Sequence, residues 1–543
     1  MFKDGKVWMA RNDAGEEICL LPGKANRHGL IAGATGTGKT VTLRVMAEAF
    51  SDMGVPVFLA DVKGDLAGLM APGVDSEDMQ ARIERFGLRE NGFSYKGYPV
   101  TFWDIYGQNG IQLRTTISEM GPLLLSRIMK LNELQSNILS IVFKIADDND
   151  LLLIDIKDLK AMLNHVNSNN KEYEAQYGKM SPASIAAILR AVVALEIDGG
   201  EVFFGEPGLN IYDLLTTEGG KGMINVLDSE SLINNGRLYS TFLLWLLSEL
   251  FEMLPEVGDP EKPKMVFFFD EAHLLFNDAP KSLLEKIEQV VKLVRSKGVG
   301  VYFCTQNPKD VPDGVLSQLG NKIQHALHAY TPADRKAVRA AADSFRENPD
   351  FDTFDTIMAL GTGEAVISFL QEDGTPGIAQ KAKVLPPQSR MGAVTEDERS
   401  QKIRSAVLYG KYAEPRDPES AYEILERLGI EREEAARRAK EEAEEAKRRA
   451  KEETEEAKRK EKEEAAAAKQ REKEEREAQR EAEKAAAAKK KAAKTVGSTV
   501  AGTVGREVGK TVGGTIGGTF GKTLGGNLGA SLGRGILNTL FGR

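Results

Sequence analysis

The chain has 543 residues, of which 28% are charged and 41% hydrophobic, and a formal net charge of −9. That length exceeds one ordinary core, so two or three domains are expected. The charge is uneven: residues 431–494 carry +2 and residues 495–543 carry +4, leaving −15 on residues 1–430, which argues against a broad nucleic-acid-coating surface but leaves room for a narrow basic pore.

Residues 1–27 read as a lead-in hairpin turning around Asn12 to Gly15. "HGLIAG" then makes a buried strand, "KTVTLRVMAEAFSDMG" a helix closed by Gly54, and "VPVFLADV" a second apolar strand. Strand, loop, helix and strand in that order form a βαβ unit and imply a parallel sheet. Residues 70–215 change rhythm. "ISEMGPLLLSRIMKLNELQSNILSIVFKIADD", "IKDLKAMLNHVNSN" and "SPASIAAILRAVVALEI" have helical periodicity, so a mainly helical insertion is expected there.

Strand-like runs resume in 216–390 with "GMINVLDS", "KMVFFFDEAH", "GVGVYFCTQ", "IQHALHAY" and "EAVISFL", separated by helices such as "STFLLWLLSELFEML" and "SLLEKIEQVVKLVRSKG". The expectation is an α/β fold: a P-loop sheet of six or more strands, built from 1–69 and 216–390 and interrupted by 70–215. Residues 391–430 read as linker and helices. Residues 431–494, nearly all Glu, Lys, Arg, Ala and Gln, read as a long solvated helix laced with i,i+4 ion pairs, its Ala-based seam too weak for a tight coiled coil. Residues 495–543 repeat a Thr–apolar–Gly–x tetrad and hold 15 glycines. Disordered low-complexity tail, self-association and membrane-surface contact are all open readings for that tail.

Cys19 and Cys304, the only cysteines, lack metal-ligand spacing and read as reduced thiols. The polar opening "MFKDGKVWMARND" carries no signal peptide, and no apolar run reaches the roughly 18 residues of a spanning helix. A cytoplasmic location is the expectation.

Three motifs carry chemistry. "GATGTGKT", Gly33, Ala34, Thr35, Gly36, Thr37, Gly38, Lys39 and Thr40, fits G-x-x-x-x-G-K-[ST] between a strand and a helix. Its backbone N–H groups can face phosphates, Lys39 can reach the β and γ oxygens, and the Thr40 hydroxyl can reach Mg²⁺, so ATP or GTP binding is expected. "MVFFFDEAH" ends a buried strand on Asp270, placed to hold the magnesium shell, and Glu271, placed to orient or deprotonate the attacking water. His273 reads equally as a packing residue. "VYFCTQNP" ends on Thr305, Gln306 and Asn307, with Gln306 the candidate γ-phosphate sensor. Asp61, Lys63 and Asp65 of "ADVKGD" face the same sheet edge, as structural or as functional groups. Arg335 and Arg339 share one helix face, either solvated or offered to a neighbour's phosphate.

"ANRHGLIAGATGTGKT", "ADVKGDL", "RTTISEMGPLLLSR", "FFDEAHLLF", "TQNPKDVPDGVLSQLGNKIQHALHAYTP" and the ending "GRGILNTLFGR" together resemble the bacterial YjgR family of HerA-like ATPases. The resemblance covers roughly residues 15–390. It implies a RecA-type core of the HerA–FtsK superfamily, whose better-studied members form hexameric rings that pump DNA. It also implies nucleotide and metal binding by Lys39 and Thr40, hydrolysis by Asp270 and Glu271, and a sensor role for Gln306. The short stretch before Gly33 departs from the N-terminal β-barrel of HerA proper, which places the nuclease partnership of HerA in doubt. The expected function is an Mg²⁺-dependent, ring-forming ATPase motor, with DNA a candidate substrate. The alternative is a nucleotide-switched scaffold or protein-remodelling ATPase anchored to a membrane surface or protein partner by its C-terminal tail.

Overall fold

The computed structural model describes residues 1–232, 236–276 and 281–489. The Gly-rich stretch 495–543 and the end of the charged segment, 490–494, lie outside the described residues. Seven parallel strands build the centre: β1 (Gly29–Ala32), β2 (Val57–Asp61), β3 (Val100–Asp104), β4 (Ile224–Asp228), β5 (Met265–Phe269), β6 (Val299–Thr305) and β7 (Asn321–Gln324). Their spatial order is β7–β1–β6–β5–β2–β4–β3. Beyond β7 the sheet continues antiparallel through Glu364–Ser368, Gln380–Val384 and Lys6–Asn12, the last of which forms the N-terminal hairpin with Glu17–Leu20. The fold is α/β.

Every residue of β2, β4, β5 and β6 is buried. Such continuous apolar runs belong to strands covered on both faces. Side chains alternate between two cores. Phe58, Phe267, Phe269 and Phe303 face one, with Phe58 stacked on Phe267 at 5.1 Å and Phe269 on Phe303 at 5.5 Å. Val57, Leu59, Phe268 and Tyr302 face the other, where the Lys39–Asp52 helix lays down Leu43, Met46 and Phe50.

The helical part differs from expectation in two ways. First, β3 lies inside the span expected to be helical and pairs in register with β4. Its "VTFWD" is only five residues, all buried, and carries no periodicity to separate strand from helix. Helices therefore dominate only from Ile117 to Phe203. Second, the stretch 117–148, whose helical periodicity marked no break, is divided into two helices, Ile117–Ile128 and Glu133–Asp148. Gly121 at φ 70°, followed by Pro122, breaks the first, and Asn132 starts the second with a capping box.

Met1–Leu425 forms one compact unit, and the described residues from Glu426 onward belong to a second. The charged helix runs Ala421–Lys489, starting ahead of the compositional change at 431. Its exposed ion pairs Arg437–Glu441, Arg448–Glu452 and Arg459–Glu463 recur every 11 residues, three helical turns, and so fall on one face. Among the described residues no single helix is long and apolar enough to cross a membrane.

Candidate phosphate and metal site

The loop Gly33–Thr40 leaves the carboxyl end of β1 and enters the Lys39–Asp52 helix. Two of its glycines are required by the turn: Gly36 at φ 79°, and Gly38 at φ 116° just before the helix. Gly33 is required by space, because a Cβ there would lie 2.5 Å from the Cβ of His325. Lys39 Nζ donates to the carbonyls of Gly33 (2.7 Å) and Ala34 (3.1 Å), so its ammonium lies across the mouth of the loop. Thr40 occupies the first helical turn, directly after Lys39 in the chain. A loop of backbone amides, a lysine and a helix N-terminus make an anion cradle.

His325 supports this cradle from behind, a role the sequence reading missed. It follows β7 directly, is fully buried, and bridges Thr42 Oγ1 (2.8 Å from Nε2) and the carbonyl of Glu364 (2.8 Å from Nδ1). Burial pushes its pKa down to about 4, so the ring is neutral. Gly363 adds a further brace by donating its amide to the Thr37 carbonyl at 2.9 Å.

The acidic tip lies on the same sheet edge. β6 separates β1 from β5 and joins their ends: the Gly33 amide donates to the Thr305 carbonyl (3.2 Å), and the Ala272 amide to the Cys304 carbonyl (2.8 Å). Four strands in this edge end in or just before aspartate, and their hydrogen bonds separate them. Asp61 takes the amides of Lys63, Gly64 and Leu66, and Asp104 those of Tyr106, Gln108 and Asn109. Asp228 takes the Glu230 amide and the Arg399 guanidinium. Each of these three carboxylates holds its own loop. Asp270, 3% exposed, keeps a buried Oδ2 with no hydrogen-bond partner. Burial, then the neighbouring Glu271 charge, raises its pKa to about 6.

Glu271 sits at φ 47°, the left-handed region that a residue other than glycine rarely adopts. Lys63 Nζ pairs with its Oε1 at 2.5 Å, while Gln306 Nε2 (3.4 Å) and His273 Nδ1 (3.3 Å) approach Oε2. Burial alone would raise the Glu271 pKa, but the Lys63 hydrogen bond and charge outweigh it and hold the group below its ordinary value. Lys63 thus stands out from "ADVKGD" as the residue that touches the acidic pair. Asp61 caps the turn, and Asp65 offers its carbonyl to Arg44 at 2.5 Å. Tyr239, another residue the sequence reading passed over, buries an unpartnered hydroxyl within the field of Asp61, Asp270 and Glu271.

Of the three polar residues at the end of β6 and just beyond it, Gln306 alone turns to Glu271. Thr305 Oγ1 donates to Asp310 (3.1 Å), and Asn307 caps the following turn. Arg335 and Arg339 lie over the Phe354 ring at 5.4 and 4.1 Å, away from the groups just described.

The residues fit a divalent cation shared with phosphate. Among the described residues no group of three or more His, Cys, Asp or Glu side chains could hold a metal alone. Mg²⁺ is commonly held by one or two carboxylates together with phosphate oxygens, which the unspent Asp270 Oδ2 and the Thr40 hydroxyl suit.

The profile of the HerA-like helicase C-terminal family matches residues 7–521. The chain belongs to this family. Within it, this HerA-like chain is 24% identical over 361 residues to the DNA double-strand break repair helicase HerA of Sulfolobus acidocaldarius, covering 65% of this chain and 64% of that protein. To the protein of the same name from Sulfurisphaera tokodaii it is 23% identical, covering 68% and 67%. The HerA-like chain thus spans about two thirds of the length of these relatives. Among solved structures, the plasmid coupling protein TrwB with a non-hydrolysable GTP analogue aligns with TM-score 0.48 at 15% identity, over 69% of this chain and 89% of that one.

Proposed function

We propose that this HerA-like chain is an Mg²⁺-dependent ATPase that works as a ring-forming motor, YjgR-like in the stretches quoted above and cytoplasmic. The observation that carries the reading is the shared edge: an anion cradle on β1 and an acid with an unspent oxygen beyond β5, tied together through the end of β6. Loop amides from Gly33 to Thr40 and the Lys39 ammonium hold the triphosphate. Asp270 and Thr40 would hold Mg²⁺, which would supply positive charge against the charge of the phosphates. Glu271, ionised and buried, orients the attacking water and accepts its proton. Gln306, beside Glu271, senses the γ-phosphate. Membership of a helicase family supports a polymer as the moved substrate, and DNA is the candidate.

Turnover measured with and without single- and double-stranded DNA, beside electron microscopy with a non-hydrolysable ATP analogue, tests the motor. Rings and DNA-stimulated turnover are expected. Turnover indifferent to both DNAs, from particles that never close into rings, overturns it.

The exposed helix Ala421–Lys489 favours a second reading, a nucleotide-switched scaffold in which the helix is a spacer to a partner or membrane surface held by the tail. Removing residues 431–543 separates the two. A truncated protein that keeps rings and stimulation supports the motor; one that keeps turnover but loses its cellular position supports the scaffold.

A further inference from the structure

The charged helix Ala421–Lys489 repeats itself in sequence. Residues 434–444 read EAARRAKEEAE, 445–455 EAKRRAKEETE and 456–466 EAKRKEKEEAA, a period of 11 residues. Such a period fills three turns, so each position returns to nearly the same face, with a slight right-handed drift. One face carries Ala435, Ala439, Ala443, Ala446, Ala450 and Ala457, spaced by four, four and three, with Thr454 in the same line, and all of them are exposed. Glu461 ends the line. At three turns per repeat, Glu442 and Glu453 border this face on one side and Lys447 and Lys458 on the other, each about 65° from its middle. The helix uses other charges for its own ion pairs. Arg437, Arg448 and Arg459 pair four residues forward, and Arg438, Arg449 and Lys460 four residues back. Among the described residues, Glu442, Glu453, Lys447 and Lys458 take part in no ion pair.

We propose that this alanine face pairs with the same face of a second copy of the chain, the two helices running parallel. The charges that border the face select both the occupant and the direction. Two-fold parallel pairing sets each border against the opposite border of the other helix. Glu442 then meets Lys447 of the second copy, and Glu453 meets Lys458 of the second copy, each five residues on, as charged flanks do across a parallel coiled coil. Antiparallel pairing would set each border against itself, Glu against Glu and Lys against Lys, which repels. Alanine lets two backbones approach closely but buries little apolar area, so the charge order rather than the seam sets the direction. The pairing stands apart from the ATPase reading, since it needs only two copies side by side. Parallel order also brings the segments that follow Lys489 out at the same end.

The test places one spin label on the concentrated full chain, at Lys440→Cys or, separately, at Lys462→Cys, in a Cys19→Ser background whose remaining thiol, Cys304, is buried. The two sites hold the same place in the repeat and lie two repeats apart, about 33 Å along the helix. Parallel pairing should give interchain distances below about 30 Å at both labels, whereas antiparallel pairing sends at least one beyond that. Glu442→Lys with Glu453→Lys should abolish both short distances. Adding Lys447→Glu with Lys458→Glu, which exchanges the two borders, should restore them. Circular dichroism reads the helix content of each variant, and recovery in the fourfold protein decides the matter should the double one lose helix. A short distance at one label only means antiparallel helices and overturns the proposal. No short distance at either label, which leaves the helix alone or against a different protein, overturns it too, as does a fourfold variant that stays apart.

Discussion

Asp270→Asn should make the ligand-free protein more stable at neutral pH even as it ends hydrolysis. Asp270 is 3% exposed, one of its oxygens has no partner, and its pKa rises from 3.8 to about 6. At about 1.4 kcal/mol per pKa unit, holding this carboxylate ionised in the fold costs up to about 3 kcal/mol. Asparagine removes the charge but still has polar atoms to satisfy in the same place, which reduces the expected gain to about 1–2 kcal/mol. The pH window follows from the two pKa values. Below 3.8 the acid is protonated in both states and contributes nothing. Between 3.8 and about 6 the unfolded chain releases its proton first, so natural-protein stability falls as pH rises, and above that range the full cost is present. Urea unfolding in the presence of a chelator, at pH 7.5 and at pH 4, reads the difference. The variant should unfold at higher urea at pH 7.5 and coincide with the natural protein near pH 4. A variant less stable at pH 7.5, or a gap that ignores pH, would refute the reasoning.

Three further outcomes follow from the same site. Glu271→Gln should retain nucleotide binding and lose turnover by about 100-fold or more, read by single-turnover hydrolysis beside equilibrium binding. Lys63→Met removes the ammonium that holds Glu271 ionised at 2.5 Å, so the acidic limb of the turnover–pH profile should move to higher pH; an unmoved limb would separate Lys63 from Glu271 in function. Gly33→Ala drives a Cβ to within 2.5 Å of His325 and should cost about 1–3 kcal/mol in unfolding free energy along with phosphate affinity.

The phosphate loop was legible in the sequence because all eight residues are contiguous and their chemistry is local. The acidic pair was legible because five apolar residues, Met265–Phe269, announce the buried strand that ends just before Asp270. What escaped were partnerships made across the chain. Lys63 meets Glu271 across 208 positions, and His325 meets Thr42 across 283. No spacing rule links such pairs. Asp61, Asp104, Asp228 and Asp270 look alike as strand-end acids. Only the amides and guanidinium that three of them capture, and the Oδ2 that the fourth leaves without a partner, tell a loop cap from a candidate metal ligand. β3 was hidden for another reason: five buried residues between a proline and a loop carry too little periodicity to be told from a helix.

The most direct measurement is a structure of the Glu271→Gln protein bound to ATP and Mg²⁺. It should show the triphosphate on the Gly36–Thr40 amides with Lys39, the metal between Thr40 and Asp270 Oδ2, and a water within reach of residue 271. A triphosphate seated elsewhere, or a metal with no contact to Asp270, would contradict the account.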